Sequence, residues 1–188
     1  VRLVLASASP RRRRLLPLLG IPFEVVAPEV EELAEGDPLE LVRVNAERKA
    51  RAGAELAGPG AIVIGADTDV ALAGRLVGKP TGAAEAAAAL RALSGREHEV
   101  HSGVFVLSPD AELGGVESTV VRFRELGGRE IDTYVETGEW RGRAGGYAVQ
   151  GLGSSLIEAI EGDVSNVIGL PMPLLAALIG ALPGAASD

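Results

Sequence analysis

Cysteine is absent from the 188 residues, and histidine occurs only twice. The first absence removes thiol nucleophiles, disulfides and thiolate metal sites, and it suits a reducing interior without demanding one. The second makes a serine–histidine–aspartate triad a poor basis for catalysis. His98 and His101 are three residues apart in what reads as one strand, so they face opposite ways and cannot share a metal. Long apolar runs are also missing. No stretch reaches the roughly 18 uninterrupted apolar residues of a membrane span, and the opening Val1–Ala6 is too short for a secretory core, so a soluble cytoplasmic protein without a membrane partner is expected. Positive charge is scarce: the net charge of −8 argues against an extended nucleic-acid partner. Of 18 basic residues only Lys49 and Lys79 are lysines. They mark places where a compact ammonium serves and a planar guanidinium does not.

What is present reads as one α/β folding unit over residues 1–188. Its centre is Ala61–Asp69, A-I-V-I-G-A-D-T-D. Ile62, Val63 and Ile64 make a short β-branched run suited to a strand buried on both faces, and the strand is expected to end at Asp67. Ligands of open α/β sheets lie beyond strand carboxyl ends, so Asp67 is placed to meet one. Leu3–Leu5 reads as an earlier strand, followed by A-S-A-S-P-R-R-R-R and an apolar run closing at Gly20. Ser9 suits a helix N-cap and Pro10 the first helical position. Free backbone N–H groups, the positive helix end, Arg11 and Arg12 would then converge as an anion cradle. Pro17 should distort the last turn.

Phe23–Ala27 reads as a strand beside the first, delivering Glu29, Glu31 and Glu32, whose oxygens suit magnesium or manganese. Asp37 caps a helix running to about Leu56, with Glu40, Arg43, Glu47, Arg51 and Glu55 as a charged outer stripe. Lys49 lies about 200° around from Glu47, on the inner stripe with Val42, Ala46 and Gly53, where a lysine either snorkels or meets an anion. A hairpin after the central strand leads to Gly78-Lys79-Pro80, which lacks the spacing and the Ser/Thr of a P-loop. Further on come a helix over Ala83–Leu93, strands over Glu97–Leu107 and Val116–Arg124, and a short helix over Glu130–Glu136. The glycine-rich Ala144–Ser154 satisfies no dinucleotide fingerprint, but its Gln150 amide could read the donor–acceptor edge of a base. A strand over Leu156–Ile160 and a helix ending near Leu182 complete the chain, with a frayed tail beyond.

In order along the chain, S-x-S-P-R-R, E-R-K-A, G-A-D-T, G-K-P, A-G-x-Y-x-x-Q-G and N-V-I-G-L-P resemble the Maf family of nucleoside triphosphate pyrophosphatases. The resemblance implies an elongated mixed sheet with flanking helices and two lobes around a central cleft, as in inosine triphosphate pyrophosphatase. It further implies a homodimer, a magnesium or manganese cofactor, and hydrolysis of a nucleoside triphosphate between its α and β phosphates. Carried over by motif, Asp67 would be the general base, and Arg12, Lys49 and Lys79 would hold the polyphosphate with Ser7 lining the loop. Glu32 would hold the metal with Asp67. Arg11, Thr68 and Gln150 match positions that distinguish the branch acting on dTTP and UTP. The chain departs from the family pattern at Asp69, usually apolar, and at Arg143, often lysine; Asp69 leaves open which aspartate takes the proton. The alternatives are a non-catalytic nucleotide-binding regulator of cell division, or the same chemistry on a modified or purine nucleotide.

Overall fold

The computed structural model describes residues 2–183; the tail expected to fray lies, from residue 184 on, outside them. Three strands set the frame: β1 (Arg2–Ala6), β2 (Phe23–Val26) and β3 (Ala61–Leu72). β1 pairs in parallel with both of the others, as buried β-branched runs joined by helical crossovers do. β3 turns through Ala73-Gly74 into β4 (Arg75–Leu76), then β5 (Glu97–Leu107), β6 (Glu112–Phe123) and β7 (Ile157–Glu161) extend the sheet antiparallel. The result is a seven-stranded mixed sheet in the order β2-β1-β3-β5-β6-β7, with β4 on β3.

The expectation that the central strand stops at Asp67 is corrected here. β5 supplies ladder partners from Val63 to Ala71, so β3 continues past the last residue paired to β1, Gly65. Asp67 is therefore interior to its own strand but lies beyond the carboxyl end of its parallel neighbour, the position that ligands of such sheets occupy.

Strand alternation divides the two faces. One face carries Leu3, Leu5, Ile64, Ala66, Val104 and Val106, packed under α1 (Pro10–Leu15) and α6 (Met172–Gly180). Further along β3 and β5, Val70 and Val100 join Val121 and Phe123 of β6 in a second core with α3 (Ala83–Leu93) and α4 (Gly128–Glu136). Between these two cores the apolar surface is interrupted by Thr68 and Ser102, paired across β3 and β5. A cleft opens there. The opposite face is covered by α2 (Pro38–Ala57), which approaches closely because a Cβ at Gly65 or Gly103 would strike the carbonyls of Ala46 or Val42.

The first helix is shorter than its sequence suggests. α1 gives way to a 3₁₀ turn over Leu16–Leu19, where Pro17 cannot donate an α-helical bond, and Gly20 closes it at φ 70°. Ser9 occupies the N-cap position of α1, yet its side chain makes no capping bond. α5 (Val164–Ile168) is capped by Asp163 and precedes α6.

Candidate active site

Ser7, Arg11, Arg12, Glu32, Lys49, Asp67, Thr68, Lys79 and Gln150 all line one cleft of about 540 Å³. Its floor includes Val70 and Val100, and its far wall comes from Arg143 to Gln150. These nine come from segments up to 143 positions apart in the chain (Ser7 to Gln150), whereas Glu31 and Asp69, also weighed in the sequence, do not line it.

The acidic side is built by α2. Lys49, inward-facing as its helical phase requires, places Nζ 2.7 Å from Asp67 Oδ1 and 2.7 Å from Glu32 Oε1. The ammonium thus meets the protein's own carboxylates. One turn earlier on the same stripe, Asn45 holds three groups at once. Its Oδ1 accepts from Leu33 N at 2.8 Å, and its Nδ2 donates to Leu33 O at 3.0 Å and to Asp67 Oδ2 at 3.2 Å. This pins the loop bearing Glu32 against the helix. Lys79 reaches the outer Glu32 oxygen at 3.9 Å. Glu29 lines the cleft, whereas Glu31 contributes a backbone carbonyl to Arg48.

Burial works to raise the Asp67 pKa, but the charge and hydrogen bond of Lys49, with Arg12 and Asn45, outweigh it and hold the carboxyl below its ordinary range. Asp69 lies on the same strand face, two residues on from Asp67. Burial, then the Asp67 charge, push it up to about 6, against the pull of Lys79.

On the basic side the sequence expectation needs revision. The six residues of α1 make a weak macrodipole, so attraction for an anion rests on side chains. Arg12 is buried and tied in: Nε donates to Gly169 O at 2.8 Å, Nη1 to Ser7 Oγ at 3.3 Å and Nη2 to Thr68 Oγ1 at 3.1 Å. Thr68 Oγ1 shares a 2.7 Å bond with Ser102. Arg12 therefore braces the two sides of the cleft and keeps only its remaining N–H groups for a ligand. Arg11 is the freer guanidinium. Burial, with repulsion from Arg143 and Arg12, pushes its pKa down to about 10, so three guanidinium groups stand close enough to repel one another.

Asn45, Ser102 and Arg143 were not chosen from the sequence as site residues. Asn45 could have been, since it stands four residues before Lys49 on the inner stripe, where an amide needs partners. Ser102 had no local signal. Both histidines are structural: His98 Nε2 bonds Tyr147 OH at 2.8 Å on one face and His101 Nδ1 bonds Ser118 Oγ at 2.8 Å on the other.

Glu32 and Asp67 turn carboxylate oxygens toward one small cation, the Lys49 ammonium. That donor chemistry fits magnesium or manganese. Among the described residues no three His, Asp or Glu side chains are grouped to hold a metal alone. The set fits the usual magnesium manner, in which one or two carboxylates are completed by water and ligand phosphates.

Known proteins of similar sequence and fold can be compared with this chain. The chain is 50% identical to a dTTP/UTP pyrophosphatase of Deinococcus radiodurans, covering 95% of this chain and 91% of that protein. It is 51% identical to one of Symbiobacterium thermophilum, over 91% and 89% of the two chains, and 44% identical to one of Bacillus cereus, over 93% and 92%. The Staphylococcus aureus Ham1 structure superposes with a TM-score of 0.50 over 97% of this chain and 91% of that one; at 17% identity it speaks for the fold alone. The mixed α/β architecture expected from the sequence is the one found. The Maf-like protein family profile matches residues 2–182, and the chain belongs to that family.

Proposed function

We propose that this chain is a nucleoside triphosphate pyrophosphatase that hydrolyses dTTP and UTP between the α and β phosphates, giving the nucleoside monophosphate and pyrophosphate. The observation that carries the reading is the Lys49 ammonium held 2.7 Å from both Asp67 and Glu32 at the edge of a cleft whose other side is arginine-lined. A polyphosphate is the anion that would satisfy such a field in an otherwise acidic protein. The names of the relatives point to the same substrates.

The remaining N–H groups of Arg12 and Arg143, with Lys49 and Lys79, bind the phosphate chain, and Ser7 keeps Arg12 in place. Asp67 is ionised at neutral pH and accepts the proton of a water attacking phosphorus; the P–O link between the α and β phosphates breaks and pyrophosphate leaves. A low-pKa carboxylate is a weak base. Phosphate oxygens that draw the Lys49 ammonium toward themselves would leave burial as the dominant influence on Asp67 and make it more basic. Glu32 and Asp67 would hold magnesium or manganese together with substrate oxygens, an ion that neutralises phosphate charge and lowers the pKa of bound water. Arg11, Thr68 and Gln150 stand where a base would be read, Thr68 through its bonds to Arg12 and Ser102.

The two cores share β3 and β5, which supports one domain; that the chain works as a homodimer in the cytoplasm is inferred from the family resemblance alone. No helix among the described residues is long and apolar enough to cross a membrane. Pyrophosphate release from a panel of nucleoside triphosphates, with and without magnesium or manganese, tests the reading. Rapid release from dTTP and UTP supports it; binding without turnover refutes it. Light scattering of the purified protein tests the dimer.

A further inference from the structure

We propose that Tyr134 and Glu139 are positioning residues for base selection: together they clamp both ends of the loop that carries Gln150 into the cleft. The inference rests on the reading that Gln150 meets the base.

Tyr134, on α4, is 4% exposed, and its hydroxyl accepts from Ala148 N at 3.2 Å while donating to Glu139 Oε2 at 2.9 Å. The same Glu139 carboxylate accepts from Gly153 N at 2.8 Å through Oε2 and from Leu152 N at 3.1 Å through Oε1. One phenol–carboxylate pair therefore fixes the chain at Ala148 and again at Leu152-Gly153. Between these anchors stand Val149 and Gln150, which line the cleft. Neither Tyr134 nor Glu139 lines it, so any influence on a ligand passes through the loop.

The glycines show that the loop is shaped around the carboxylate. Gly151 sits at φ 100°, and a Cβ there would strike Glu139 Oε1. A Cβ on Gly153 would meet the Ala148 carbonyl and, at 2.9 Å, the Tyr134 hydroxyl. Burial and the Glu139 carboxylate push the Tyr134 phenol up, so it remains a donor. Hydrogen bonds to an ionised carboxylate are stronger than neutral ones, and an amide reads a base edge only when its own geometry is fixed.

Tyr134→Phe and Glu139→Gln remove bonds while keeping shape, and Gln150→Ala removes the reader itself. Each is assayed for kcat and KM on dTTP and dCTP, which differ at the exocyclic group opposite such an amide, and for inhibition by inorganic tripolyphosphate, which has no base. The expected result is a loss of about tenfold in dTTP-over-dCTP discrimination in both clamp variants, carried by KM. Tripolyphosphate inhibition should stay within about twofold of wild type, because Arg12, Lys49 and Lys79 are untouched and Arg143 is held by the Glu139 backbone carbonyl, which both variants keep. If Gln150→Ala relaxes discrimination and neither clamp variant does, the clamp is overturned and the base reading stands. A rise in tripolyphosphate inhibition constant in step with KM also overturns it, since that marks general loosening. Unchanged discrimination in Gln150→Ala overturns the base reading and the clamp with it.

Discussion

Replacing Lys49 by methionine removes one of two charges that meet in the interior. The Lys49 side chain is 11% exposed and that of Asp67 3%, with 2.7 Å between the charged atoms. Deleting one partner of such a pair costs about 3–5 kcal/mol, because the other is left buried and uncompensated. Glu32, 39% exposed, can turn to water and adds little. Asp67 would then be governed by burial, already the largest influence on it, with Arg12 and Asn45 offsetting a part. In the wild type its pKa is depressed, so its ionisation contributes stability that is complete above the unfolded value and lost as pH falls through the folded one. In the variant the folded value rises above the unfolded value. The penalty is then full at pH 7.5 and shrinks as pH falls through that raised value. At 3 kcal/mol and 2–4 °C per kcal/mol for a chain of this size, Tm should fall by roughly 6–12 °C at pH 7.5. At pH 4.5 the fall should be less than half of that. Lys49→Met/Asp67→Asn should recover most of the loss, since an amide is cheaper to bury. Thermal melts at the two pH values give the answer. Equal losses at both, or a double variant no more stable than the single, would refute the reasoning.

Asp69 supplies the opposite sign. Its pKa of about 6 lies above the unfolded value, so its ionisation costs stability increasingly as pH rises from about 4 through 6. Asp69→Asn should therefore gain about 1–2 kcal/mol in urea unfolding at pH 7.5 and nothing at pH 4. Gly103→Ala should cost about 3 kcal/mol and lower turnover with it, because the new methyl drives α2, and so Asn45 and Lys49, away from Asp67. Gly128→Ala, where a Cβ meets nothing within 4 Å, is the matched control, with Tm expected within about 1 °C of wild type.

The elements were largely legible because their signals are local: short β-branched runs for β1 and β3, an Asp-Pro start and a 3.6-residue stripe for α2. The stripe also told which way Lys49 points. What it meets was not legible, since Glu32 arrives on a loop fixed by Asn45. The end of β3 was misplaced for a related reason. Its continuation depends on the ladder from β5, more than 30 positions away in the pairs around Asp67. Arg12 read as a free anion donor, but Gly169, 157 positions away, and Thr68 take its N–H groups. The Tyr134–Glu139 pair carried no sequence signal at all, because each residue alone resembles an ordinary helix or turn position.

The decisive measurement is phosphorus NMR of dTTP turnover by the wild type and by Asp67→Asn, with nucleotide affinity measured alongside. The wild type should yield dTMP and pyrophosphate, and Asp67→Asn should form them roughly 10²- to 10⁴-fold more slowly with affinity changed only a few-fold. Near-normal turnover by Asp67→Asn, or dTDP and phosphate from the wild type, would contradict a proton-accepting Asp67 and cleavage between the α and β phosphates.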